Sequence, residues 1–487
     1  MRYVVTLLAT VFTLGFAQAP LEKRLDEDLS KYMTAYDLPG LAVSVLVDGE
    51  VVYAKAFGFR NLQKKTPMRV DSLFHMASVS KPFAATAIMQ LVEQGKIDLD
   101  APVITYLPYF KLESDSYNSI TIREMLTHRS GMPDEDDYEW DKPQYDPGAA
   151  ERYVRSIANE KPIAPRGAKF FYSNIAFDVL ADVVQKVSGL TYEDYVKQQI
   201  LDPLGMKHST FLKPQVPESL ATAPHVRSQF KVDVSDIYPY NRRHAPSSTL
   251  HSNVMEMARW ARANMNRGSL DGVRILKADS YLELFKKQNE ASSNRHVGLS
   301  WFISDFEGHQ EIGHSGGDVG YATYFGMIPD KGIAITVLCN FDNVPIRRIR
   351  SSLLSAALGL PHDKVLEPVR TTIRRTIQDK GIQAAEMRYR KLRKEAPEAY
   401  IFGPAELYYL GYEFVEGKKL EVALALFKIN VEFFPEHHAV QGALGELYLD
   451  LGQPTLAVKH LQESVRINPN NARRQKLLED ALKQQKK

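Results

Sequence analysis

Met76-Ala77-Ser78-Val79-Ser80-Lys81-Pro82-Phe83-Ala84 runs into a helical stretch predicted over 81–94. Residues three apart on a helix share one side, so the Ser78 hydroxyl and the Lys81 amine fall within reach of each other. An alcohol becomes a nucleophile only when something takes its proton. A lysine does this only where burial or a neighbouring cation disfavours its charged form. The pair therefore predicts a partly desolvated cavity at the start of this helix. Ser80 offers a rival hydroxyl, but it is adjacent to Lys81 and less well directed.

Moving outward, 40–47 and 51–58 are short β-rich runs separated by Asp48-Gly49-Glu50, which predicts a hairpin. A second cluster of strands comes late, at 297–303, 321–328 and 332–339, with Pro329-Asp330-Lys331 turning between the last two. Helices are expected between the clusters at 121–127, 174–187 and 253–265. Strands gathered from both ends of a segment around a helical middle predict one antiparallel sheet packed with helices, a mixed α/β domain over 21–360.

Two further segments carry chemistry. Pro165-Arg166-Gly167-Ala168-Lys169-Phe170-Phe171-Tyr172-Ser173-Asn174 delivers an aromatic run and then a polar trio to a helix start. Tyr172 can share the nucleophile's proton and later protonate a leaving group, while Asn174 can hydrogen-bond a substrate amide or the lysine. The plainer alternative is a packed ring at Tyr172 and a helix cap at Asn174. Ile312-Gly313-His314-Ser315-Gly316-Gly317-Asp318-Val319-Gly320-Tyr321 brackets a polar pair with glycines beside an expected edge strand. Its glycines allow a substrate backbone to approach, and the Gly317 amide can join that of Ser78 around a developing oxyanion. His314 can hydrogen-bond the substrate; alternatively it is a turn histidine with no chemical task.

Taken together and in this order, Ser78-Val79-Ser80-Lys81, Tyr172-Ser173-Asn174 and His314-Ser315-Gly316 resemble the Ser-x-x-Lys, Tyr-x-Asn and His-x-Gly motifs of the serine β-lactamase and penicillin-binding protein superfamily. The likeness is to the class C β-lactamase, D-alanyl-D-alanine carboxypeptidase and esterase branch. It extends over about 36 to 357, including 91–100 and 120–132. The resemblance implies a β-lactamase-like antiparallel sheet flanked by helices plus an all-helical part. It also implies a serine hydrolase forming an acyl-enzyme at Ser78, with Lys81 and Tyr172 managing the proton. Asn174, His314, Ser315 and Gly317 would line the substrate or oxyanion site. No metal or organic cofactor is implied. His314 stands where lactamases of the branch carry a lysine, and a histidine is mostly neutral near pH 7. Recognition of a substrate carboxylate would then need another cation, which favours ester or amide hydrolysis over potent lactamase activity. A D-Ala-D-Ala carboxypeptidase or weak β-lactamase is the alternative within enzymes, and a catalytically silent peptide-binding module the alternative outside them.

Other departures and side features are expected to matter less. Pro246–Asn253 lacks the glycine pair and aspartate of many relatives, with Asn253 as the expected cap, and should shape the cleft wall with little effect on chemistry. His128 is expected to structure a helix end. Asp134-Glu135-Asp136-Asp137 lacks the alternating pattern of a calcium loop and reads as a solvated loop.

Beyond a proline-punctuated connection at 361–380, the sequence repeats with a step of 34. Leu410-Gly411 returns as Leu444-Gly445, Phe414 as Tyr448, Ala423 as Ala457, Phe427 as Leu461 and Pro435 as Pro469. The glycines and alanines predict close crossings of paired helices, and the prolines end each second helix. This region, 381–487, resembles tetratricopeptide repeats, with Ala385, Tyr389 and Pro397 as a partial earlier unit. Such repeats stack into a superhelix expected to contact a protein or a second copy of the chain. A cap that only stabilises the hydrolase is the alternative.

Composition sets the limits. With 44% hydrophobic and 25% charged residues, the chain is neither disordered nor collagenous. Its 61 basic and 59 acidic residues leave +2, too little for a bulk field that would attract nucleic acid. The lone Cys339 excludes an intrachain disulfide and a cysteine-built metal cluster. Arg2 followed by the apolar run from Tyr3 to Phe16 reads as a secretory signal, 1–17, cleaved after Ala17, with an uncleaved anchor as the alternative. No later apolar run reaches the roughly twenty residues of a spanning helix. The mature chain is expected to be exported, periplasmic or secreted, with no stable membrane span and an ester, amide or D-amino-acid peptide as substrate.

Overall fold

The structure is a computed structural model that describes residues 21–228, 230–361 and 363–486; the expected export segment lies outside them. The described chain divides into two compact units. The first takes most of the residues up to 363. The second comprises the residues from Lys364 on, together with Thr34–Asp37 and Arg227–Val232.

In the first unit the anticipated hairpin forms β1 (Gly40–Val47) and β2 (Glu50–Asn61). Val47 pairs with Glu50, so Asp48 and Gly49 alone make the turn, both at positive φ (51° and 81°). That is the backbone a tight two-residue hairpin requires. The sheet gathers the strands as expected, from both ends of the unit. β3 is Thr66–Pro67, followed much later by β4 (Asn289–Ser292), β5 (Arg295–Val297), β6 (Phe302–Phe306), β7 (His309–Asp318), β8 (Tyr321–Ile328) and β9 (Ile333–Cys339). Among the described residues the order is β4-β5-β6-β7-β8-β9-β1-β2-β3, with antiparallel neighbours throughout.

Every residue of β9 is buried, which requires cover on both faces of the sheet. Ala42 and Leu46 of β1, Phe325 and Met327 of β8, and Ala334 and Leu338 of β9 join one core with α2 (Lys81–Glu93), α3 (Asn174–Ser188) and α4 (Val254–Met265). In that core Phe83 stacks on Trp260 with ring centroids 4.0 Å apart. The alternate residues Val43, Val45, Ile335 and Val337 are buried outside that core. Their side of the sheet is covered by α1, the helix over 21–35, and by α5 (Ile346–Ala357), which the Tyr32–Ser352 hydroxyl contact joins.

The strand expected at 297–303 is instead broken. β5 ends at Val297 and β6 starts at Phe302, because Gly298–Trp301 forms a turn in which the Gly298 amide donates to Trp301 O and Ser300 takes φ +73°. The Ser300 amide donates to Leu126 O, and the Leu299 amide to Leu284 O. These bonds to neighbouring elements replace the sheet ladder that local β-propensity favours.

The second unit is helical. The residues expected as a connection are helical from Val369 onward, in α6 (Val369–Glu395), which bends at Gly381 (φ 79°, ψ 175°). Then follow α7 (Pro404–Glu416), α8 (Leu420–Phe433), α9 (His438–Asp450), α10 (Pro454–Ile467) and α11 (Ala472–Gln485), each packed on the next. The step of 34 is visible in the packing. A Cβ at Gly411 would lie 2.1 Å from the Phe427 ring, and one at Gly445 2.8 Å from Leu461 Cγ. Ala423 and Ala457 are fully buried at the corresponding crossings. Alanine in place of a helical glycine ordinarily adds about 1 kcal/mol. Gly411→Ala should instead cost about 2 kcal/mol through overpacking, and Phe427→Leu should relieve it. Urea unfolding of the full chain, followed by helical circular dichroism, checks both variants.

Candidate active site

The segment leading to α2 is buried from His75 to Ser80 except at Ser78, which is partly open to solvent. Ala77, immediately before it, is held at φ +48°, a strained conformation for a residue with a Cβ. A single 3-10 turn, Ala77–Ser80, passes directly into α2. Lys81 thereby sits one turn beyond Ser78, fully buried. Its Nζ donates to Ser78 Oγ at 2.9 Å, Asn174 Oδ1 at 2.5 Å and Ser247 O at 2.9 Å. Three protons meet three acceptors, which is how a buried ammonium is tolerated. Loss of water nevertheless pulls its pKa down to about 8, opposed by the charges of Asp178, Asp318 and Asp134. The rival hydroxyl of Ser80 is buried and accepts from the Leu250 amide.

At the start of α3, Ser173 is the cap, its Oγ accepting from the Ala176 amide. Asn174 is therefore not spent on capping. Its side chain spans Lys81 and Asp134, whose Oδ1 accepts from both Asn174 Nδ2 and Asn174 N at 2.8 Å. The acidic run is thus more than a solvated loop: Asp134 orients the asparagine that holds the lysine. Tyr172 donates its hydroxyl to Ser78 Oγ at 3.0 Å, and burial pushes its pKa up. His128 has φ +56°, accepts from the Ser173 amide at Nδ1 and stacks on Tyr172 at 4.3 Å. Accepting at Nδ1 requires a neutral ring, and burial beside the Lys81 charge keeps its pKa well below the usual histidine value.

His314 lies within β7, not on a turn, and β7 is an interior strand of the sheet. Its ladder with β6 runs only from His309 to Gly313. The turn that breaks the expected strand carries the chain away, so among the described residues His314–Asp318 pairs with β8 alone and keeps a local free edge. Gly316 packs over the Ser78 turn: a Cβ there would lie 2.5 Å from Met76 O and 2.9 Å from Ser78 N. Gly317, Ser315 and His314 line the same cleft of about 520 Å³ as Ser78 and Tyr172. His314 Nδ1 must donate to Ser315 O, 2.7 Å away. Burial and the nearby Lys81 charge take its pKa to about 3, so the ring is neutral.

The structure therefore brings the seven sequence-derived candidates together, five of them lining one cleft and Lys81 and Asn174 buried behind Ser78, with three corrections to their surroundings. Ser247 contributes its carbonyl to Lys81, so the Pro246–Asn253 stretch holds the amine beside Ser78 and does not stand among the residues lining the cleft. Asp134 is an unanticipated support. Arg295, on β5, also lines the cleft with its guanidinium carbon 3.6 Å from the Phe302 ring centroid. It forms no ion pair among the described residues. A lone arginine at the edge of an expected strand carries no motif, and only the strand pairing brings it to Ser78. Among the described residues, no group of three His, Cys, Asp or Glu is disposed to hold a metal ion.

Residues 25–358 match the family described as Beta-lactamase, and the chain belongs to that family. It is similar to Protein flp of Staphylococcus aureus strain MW2, with 25% identity over 328 residues, 67% of this chain and 64% of that protein. The match thus spans a little under two thirds of the staphylococcal relative's length. It is also similar to Penicillin-binding protein 4 of Amycolatopsis lactamdurans, with 27% identity over 320 residues, 63% of this chain and 82% of that protein. Among solved structures, the octameric penicillin-binding protein homologue from Pyrococcus abyssi shares 28% identity with a TM-score of 0.64, covering 73% of this chain and 81% of that one.

The hydrogen bond to Ser315 O and the buried ring together determine one state of His314. Nitrogen-15 spectra of histidine-labelled protein should show it as the neutral Nδ1–H tautomer, with no titration between pH 5 and 8. A shift near the ordinary histidine pKa would contradict that assignment.

Proposed function

We propose that this member of the Beta-lactamase family is a serine hydrolase that works through an acyl-enzyme on an ester or amide. The observation that supports it most is the convergence of Lys81 Nζ and Tyr172 Oη on one oxygen, Ser78 Oγ, at 2.9 and 3.0 Å. Lysine, with a pKa near 8, gives up its proton before a tyrosine raised above its ordinary value. At pH 7 about one molecule in ten then holds a neutral amine. That amine takes the Ser78 proton as Oγ attacks the substrate carbonyl carbon. The Ser78 and Gly317 amides hold the developing oxyanion. Tyr172 protonates the leaving alcohol or amine as the C–O or C–N bond breaks and regains its proton from Lys81, and water then cleaves the Ser78 ester, returning a proton to Oγ. Asn174 keeps Lys81 aimed while Asp134 fixes Asn174.

With His314 neutral, Arg295 is the cation that faces the cleft. It supports a preference for substrates bearing a carboxylate, and so keeps the D-Ala-D-Ala carboxypeptidase or weak β-lactamase reading within the class C-like branch. In the same proposal 21–360 is the hydrolase domain and 361–380 a connection. Residues 381–487 form tetratricopeptide-like repeats that contact a protein or a second copy, supported by the repeated glycine crossings. Export to the periplasm or medium follows from the apolar segment after Arg2. Among the described residues no helix is long and apolar enough to cross a membrane.

Intact mass after fluorophosphonate treatment should show one adduct on the wild type and none on Ser78→Ala; equal labelling of both would remove Ser78 from the role. Because the neutral amine is the active form, kcat/KM for a p-nitrophenyl ester should rise with pH to a plateau, with an apparent pKa near 8. A rate already flat from pH 6 would argue against Lys81 as base. Loss of a charge-assisted contact in Arg295→Ala should raise KM on the order of tenfold for a carboxylate-bearing ester and leave a neutral ester nearly unchanged.

A further inference from the structure

Three segments that are distant in sequence meet at one carboxylate oxygen beside the cleft. Asp318 ends β7, one residue beyond Gly317. Its Oδ2 accepts from His75 Nε2 at 2.7 Å and from the Ser248 hydroxyl. His75 and Ser248 are themselves in contact, 3.2 Å apart. All three are enclosed: His75 is fully buried, Ser248 is 3% exposed, and the Asp318 side chain is 11% exposed.

Each partner adjoins a group that the proposed chemistry uses. His75 lies three residues before Ser78, on the short strand Phe74–His75, and leads into the strained Ala77. Ser248 follows Ser247, whose carbonyl holds Lys81 Nζ. Asp318 follows Gly317. The other ties among these segments are the ladder that pairs Phe74 with Ser252 and His75 with His251, the Leu250 amide donating to Ser80 Oγ at 3.0 Å, the Met76 amide donating to Leu250 O at 2.7 Å, and Thr323 Oγ1 donating to Met76 O at 2.7 Å. Ser247 O reaches the Ser78 hydroxyl through Lys81 Nζ, which bonds both, and Gly317 pairs with Ala322 in the sheet, so the Asp318 node is a further side-chain link that joins all three segments at once. A buried carboxylate bound to two donors is a stiff node, since breaking either bond leaves a polar group unpaired away from water.

We infer that Asp318 is a positioning residue whose carboxylate, through His75 and Ser248, aligns the Ser78 turn, the Lys81-binding carbonyl of Ser247 and the Gly317 amide for acyl transfer. This rests on the functional reading of those three groups given above. Asp318 itself is not among the residues lining the cleft. Its removal therefore weakens the rate of the covalent step and not the fit of a bound reagent, because small misplacements of reacting groups are costly.

Fluorophosphonate inactivation separates these terms as kinact and KI. Asp318→Leu should lower kinact about 100-fold and change KI less than threefold. Asp318→Asn, which keeps one accepting oxygen for both donors, should recover to within about fivefold of wild type. Ser248→Ala should lose about tenfold. The double variant Asp318→Leu/Ser248→Ala should be no slower than Asp318→Leu alone, as expected for residues that act as one unit. If Asp318→Leu fails to fold, Ser248→Ala and Asp318→Asn still decide. A folded Ser248→Ala protein with wild-type kinact, or an Asn variant as slow as the leucine one, would overturn the proposal. Ser78→Ala is the control that separates the two failures. If it no longer labels, the functional reading stands and the Asp318 results bear on positioning alone; if it still labels, the functional reading falls and the positioning role with it.

Discussion

The amine of Lys81 is the constraint from which the first unit's interior follows. A lysine head group taken fully out of water must find an acceptor for each proton or lose its charge. Here it does some of both. Ser78 Oγ, Asn174 Oδ1 and Ser247 O receive its three protons, while burial holds its pKa near 8. Those acceptors come from α2's own entry, the start of α3 and the turn before α4. Three pieces of chain must therefore converge within about 3 Å of one nitrogen before the lysine can be buried at all.

The surroundings of that amine keep its charge finely set. Asp178, Asp318 and Asp134 pull its pKa upward against desolvation, whereas both neighbouring histidines are held neutral and add no cation. His128 accepts a backbone proton and stacks on Tyr172, and His314 is committed to the Ser315 carbonyl. The sheet supplies the opposite wall. Because β6 starts only at Phe302, β7 keeps an unpaired edge from His314 onward, and the glycines there allow close contact with the Ser78 turn. Arg295 reaches the same space from β5, stacked on Phe302.

Much of this could be read from residues in a row. The hairpin at Asp48-Gly49, the helix that starts at Lys81, the cap at Asn253 and the glycine crossings of the 34-residue step all depend on local geometry, which short sequence windows encode. Local reasoning failed where a long-range bond outbid propensity. The 297–303 run is β-rich, yet Leu284 O and Leu126 O take the amides of Leu299 and Ser300 and break it. Asn174 left two readings open, a partner of the lysine or a cap; Ser173 does the capping, and the amide bridges Lys81 and Asp134. The stretch before α4 looked remote from the chemistry because its contribution is a backbone carbonyl, which no side-chain motif reveals.

The sequence by itself determined which residues bear reactive groups and the order in which they come. Ser78 and Lys81 stand one helical turn apart, and that spacing is a property of the backbone alone. Whether Lys81 is dry, which acceptors hold it, and that Asp134, Arg295, Ser247 and Asp318 stand around it were decided only when segments up to 243 residues apart packed together. Solvent exclusion is a property of the assembled core: an amine's pKa depends on how much water the folded chain removes and which charges it brings near, and neither quantity exists until the sheet and its helices have closed.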